Sequence, residues 1–106
     1  KKMIITTTET ISGKEIVEIL GIVKGNTVRA RNFGNDILAG LKNLIGGEVK
    51  LYSELLFQSR EQATQRMIDE AKSIGADAIV NVRYSTSTIV NGTSEILVYG
   101  TAVKLK

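Results

Sequence analysis

Arg83 is the residue whose type and setting most invite chemistry. It lies in a run of alternating strand residues, and an arginine fork there is suited to a carboxylate or phosphate. Gly46-Gly47, with Glu48 just behind, stands ahead of a helical stretch, where free amides and the helix dipole favour negative charge. Together Arg83, Glu48, Gly46 and Gly47 make a candidate site for a small anionic ligand; a hard metal ion on carboxylates is the related option. The plainer alternatives are a structural ion pair for Arg83 and a helix stop for Gly46-Gly47. Catalytic arrangements are scarcer. Histidine and cysteine are both absent, which removes the commonest base, the thiolate nucleophile and the soft metal ligands. Ser12-Gly13-Lys14 lacks the SxxK spacing, and Lys72 adjoins Ser73 directly. Asp69-Glu70 is an adjacent acidic pair, but helical neighbours point about 100° apart. An enzyme would need Glu70, Glu95 or a perturbed lysine as its base. The expectation is therefore a non-enzymatic protein without a cofactor or a metal site.

The elements that must position these groups belong to one domain, residues 1–106. Apolar residues at 42% and charged residues at 24% are those of an ordinary globular chain, with a modest core. Lys1 and Lys2 precede Met3, which reads as a natural start; setting them aside takes the formal charge from +3 to +1. With basic residues scattered, aromatics at 5% and no tryptophan, a nucleic-acid partner is not expected. No run approaches the ~20 apolar residues of a membrane span and no signal peptide opens the chain, so the expected location is cytoplasmic.

Glycine punctuates a chain that has no proline. Residues Met3 to Thr8 read as a first strand, Ser12-Gly13 as a turn and Glu15 to Val23 as a second strand. Gly25-Asn26 has the form of a hairpin turn leading to a short strand, Thr27 to Arg31. Ile37, Leu38, Leu41, Leu44 and Ile45 make one stripe of a short helix capped at Asn35 or Asp36. A long helix follows from about Glu48 to Ile74, roughly 40 Å at 1.5 Å per residue. Its stripe is Tyr52, Leu55, Leu56, Ser59, Ala63, Met67, Ala71 and Ile74, Arg66 can pair with Asp69 or Glu70, and Gly75 ends it.

Ala78 to Thr88 and Ser94 to Lys106 form a hairpin around Asn91-Gly92. A regular register from Val90 opposite Thr93 sets Tyr84 opposite Tyr99, both toward the long helix, and Arg83 opposite Gly100. The other face then carries Ile96, Val98 and Ala102, too apolar for water, and a second copy of the chain is the cheapest cover. Phe57 and Ile68, eleven residues apart, share a second helical stripe. Phe57, Ile68, Ile96 and Val98 are thus the expected self-association surface.

The pattern Gly21-Ile22-Val23-Lys24-Gly25-Asn26-Thr27-Val28, Gly46-Gly47-Glu48, Tyr52, Leu55, Arg60, Ala63, Arg66-Met67 and Glu70-Ala71 is distinctive as a series. It continues through Gly75-Ala76-Asp77-Ala78-Ile79-Val80, Val82-Arg83-Tyr84, Glu95 and Tyr99-Gly100-Thr101-Ala102-Val103. In these residues the chain resembles the YbjQ family of small bacterial and archaeal proteins, which carries a heavy-metal-binding label. The resemblance implies an α+β subunit: a small, mostly antiparallel sheet with one short and one long helix, in a dodecin-like arrangement. It also implies a ring-shaped homo-oligomer, most often a pentamer; the small-anion or hard-metal site considered above would then lie at subunit junctions. The metal label sits poorly with a chain whose soft donors are the thioethers of Met3 and Met67.

Overall fold

The computed structural model describes residues 2–29, 48–90 and 93–106. The fold is α+β. Its elements are β1 (Ile4–Ile5), β2 (Ile16–Arg29), α1 (Glu48–Ser73), β3 (Ala78–Val90) and β4 (Thr93–Leu105). The strands form one mixed sheet in the order β1-β3-β4-β2, in which β1 runs parallel to β3 and the other neighbours are antiparallel. The expected short helix of residues 35–45 lies outside the described residues.

The first strand is shorter than its β-branched run implied. Beyond Ile5 the chain still follows β3, for Thr6 N–H donates to the Ile79 carbonyl and Asn81 N–H to that of Thr8. At Ser12-Gly13 the expected turn is present: Lys14 N–H donates to Ile11 O, and Gly13 takes the positive φ of 77° that such turns require.

The expected hairpin at Gly25-Asn26 is overturned. β2 passes straight through these residues and pairs with β4 from Ile16↔Leu105 to Arg29↔Ser94, so Thr27 to Arg29 continues one strand. The reason Gly25 is glycine is space rather than φ. A Cβ there would come within 2.6 Å of the Met67 nitrogen, because α1 lies directly on the strand. Small residues on both sides permit this approach. Ser59, Ala63, Met67 and Ala71 form the buried stripe of α1, and Val23, Gly25 and Thr27 lie buried beneath it. Thr27 Oγ1 donates to the Ser59 carbonyl at 3.3 Å.

α1 ends as the sequence indicates. Gly75, at φ 80°, donates its N–H to Lys72 O, and Ala76 N–H reaches Ala71 O, a Schellman stop that satisfies the last carbonyls.

The β3–β4 hairpin begins as expected, with Val90 opposite Thr93, and then departs. One irregularity between Thr88 and Val90 puts Tyr84 opposite Val98 and Arg83 opposite Tyr99; a second between Val80 and Arg83 puts Ile79 opposite Ala102. Asn81, at φ 55°, absorbs the second bulge. One inserted residue exchanges the faces. Ile96, Val98 and Ala102, expected on a free face, are buried under the chain's own helix with Ile79, Val82 and Met67. Tyr99 faces the other way, apart from Tyr84.

Candidate functional site

The outer face of the sheet, away from α1, divides into two halves. At one end Ala78, Val80 and Val103 are buried, with Ile11, Ile16 and Leu105 packed over them. Further along, the register places Ile19, Ile22, Lys24, Asn26 and Val28 of β2 beside Val103, Thr101, Tyr99, Leu97 and Glu95 of β4. This half is open: Ile22 is 77% exposed, Ile19 71%, Val28 50% and Tyr99 40%. In the sequence, the run Ile16 to Val23 already carries large aliphatics on both faces.

Arg83, Tyr99 and Lys24 form one row across this face. Arg83 was expected opposite Gly100 with a carboxylate partner; the bulge moves it opposite Tyr99, and its Nη1 donates to the Thr7 and Val82 carbonyls at 3.0 and 2.9 Å. Its fork thus ties the amino-terminal segment to β3. Gly46 and Gly47 lie outside the described residues, as does the side chain of Glu48. Gly100 does serve close approach: a Cβ there would meet Ile79 Cγ2 at 2.7 Å.

The acidic candidates also have structural partners. Glu70 Oε1 accepts Lys24 N–H at 2.8 Å, Glu95 Oε2 accepts Asn26 Nδ2 at 2.9 Å, and Asp69 Oδ1 accepts Gln65 Nε2 at 2.9 Å. Arg66 does not take the expected helical pairing; its Nη1 donates to Asn26 O at 2.6 Å. On the second stripe of α1, Thr64 donates to Arg60 O, which leaves its oxygen to accept from Tyr84 Oη at 2.8 Å. Ile68 packs against the chain's own core, while Phe57 stays half exposed.

A family model described as "Putative heavy-metal-binding" matches residues 3–106. The chain belongs to the YbjQ family. A UPF0145 protein of Archaeoglobus fulgidus is 58% identical over 106 residues, covering 100% of this chain and 98% of the relative. Another UPF0145 protein, from Thermosipho africanus, is 60% identical over 104 residues, covering 98% and 96% respectively. The fold is similar to a crystal structure of a protein with unknown function from Pediococcus pentosaceus, with a TM-score of 0.64 at 21% identity over 98% of each chain. The metal in the family's description does not fit the donors present. The chain has no thiolate or imidazole, and Met67 is sealed in the core with Met3 packed at its edge. Among the described residues no three carboxylates gather into a cation site. Nor, among them, is any helix long and apolar enough to cross a membrane.

Proposed function

We propose that this YbjQ-family chain is a non-enzymatic, homo-oligomeric module in which a second copy covers the open half of the outer face. The observation that carries the reading is the group Ile19, Ile22 and Tyr99 on neighbouring strands, large side chains left to solvent, with Val28 exposed further along β2 beyond Lys24 and Asn26. The dimensions support it. The radius of gyration is 17.0 Å, where a self-contained domain of this length has about 13 Å, and the extents are 54 × 27 × 20 Å. A subunit so elongated leaves surface for a neighbour. A pentameric ring, implied by the sequence resemblance, is the closed assembly favoured here.

Light scattering on the purified chain at micromolar concentration tests this. The expected mass is a fixed multiple of 11.5 kDa, five for the ring; a stable particle of 11.5 kDa overturns the reading.

A further inference from the structure

Among the described residues β2 is an edge strand, with β4 as its neighbour on one side and no strand on the other. An edge strand of 14 residues with exposed aliphatics is a template for pairing with another chain, and such edges are ordinarily blocked. Two side chains of α1 reach this edge. Glu70 Oε1 accepts the Lys24 N–H at 2.8 Å, and Arg66 Nη1 donates to the Asn26 carbonyl at 2.6 Å. Residues two apart on a strand direct their backbone groups to the same side, so both bonds fall on the free edge.

The spacing explains why one helix can supply both. Arg66 and Glu70 are one turn apart, about 6 Å along α1, while Lys24 and Asn26 are about 6.6 Å apart along β2. Gly25, between them, lets α1 settle on the strand with only backbone thickness in the way. The acceptor side chain meets the N–H and the donor meets the carbonyl, so each backbone group is satisfied by a charged partner.

We infer that Arg66 and Glu70 act as an edge seal, closing the centre of β2 to strand addition by a further copy of the chain. The seal sits on the edge and not on the open outer face, so it is independent of the oligomer proposed above. It lets that face associate while unlimited edge-to-edge growth is prevented.

The test compares wild type, Glu70→Ala, Glu70→Gln and Arg66→Ala/Glu70→Ala in the full chain. Native-state hydrogen exchange at Lys24 and sedimentation velocity across a concentration series are the readouts. Glu70→Ala should speed exchange of the Lys24 amide at least tenfold, and the double variant should form large, concentration-dependent species where wild type keeps a fixed size. Glu70→Gln keeps a carbonyl acceptor at the same reach and should behave nearly as wild type. Unchanged Lys24 exchange in Glu70→Ala, or no large species in the double variant, overturns the seal. So does a Glu70→Gln variant whose Lys24 amide exchanges as fast as that of Glu70→Ala, because loss of charge rather than of the bond would then be responsible. The wild-type mass alone decides the oligomer, so the two readings fail separately.

Discussion

The two faces of this sheet are built from similar residues and end in opposite situations. On the inner face Val23, Val98 and Ala102 are buried because Ser59, Ala63, Met67 and Ala71 bring the helix close. On the outer face Ile19 and Ile22, no less apolar, stand mostly in solvent. Burial here is decided by what lies opposite a side chain. The glycines show the same contrast. Gly25 and Gly100 are filled in by neighbours, whereas Gly21 has open space around it and is glycine for its φ of 128°.

That contrast breaks most readily at Gly25. Gly25→Val should cost about 3 kcal/mol or more, because the added carbon meets helix backbone and cannot be accommodated by a rotamer change. Chemical denaturation would measure it; a loss below about 1 kcal/mol would mean that the helix does not rest on the strand. Met67→Ala, at the centre of the inner face, should cost about 2–5 kcal/mol by the same measurement. Gly21→Ala should fall lower, at about 1–3 kcal/mol, since only backbone strain opposes it. Tyr84→Phe should cost about 1 kcal/mol, the worth of the hydroxyl's bond to Thr64, and leave assembly unchanged in light scattering.

How far the sequence disclosed this arrangement depends on the kind of signal. The helix was legible because its stripe repeats over seven turns, and its end because Gly75 follows the last periodic residue. The Ser12-Gly13 turn was legible for a similar local reason. Gly25 was misread because glycine serves two purposes, positive φ and close approach, and nothing local separates them. The bulge at Asn81 left a faint mark, for asparagine tolerates the left-handed region better than most residues. The other irregularity, between Thr88 and Val90, is the one that turns Ile96 and Val98 to the buried face of β4. Arg66 and Glu70 were read as a helical pair because their true partners are backbone groups some 40 residues away.

A copy of the same chain is proposed to cover the open half of the outer face. The most direct measurement is the solution mass of wild type beside Ile19→Ser/Ile22→Ser, by light scattering over a micromolar concentration series. Wild type should hold a fixed multiple of 11.5 kDa, while the double variant dissociates toward 11.5 kDa with its circular dichroism preserved. A double variant that assembles at the same concentrations as wild type would contradict the account.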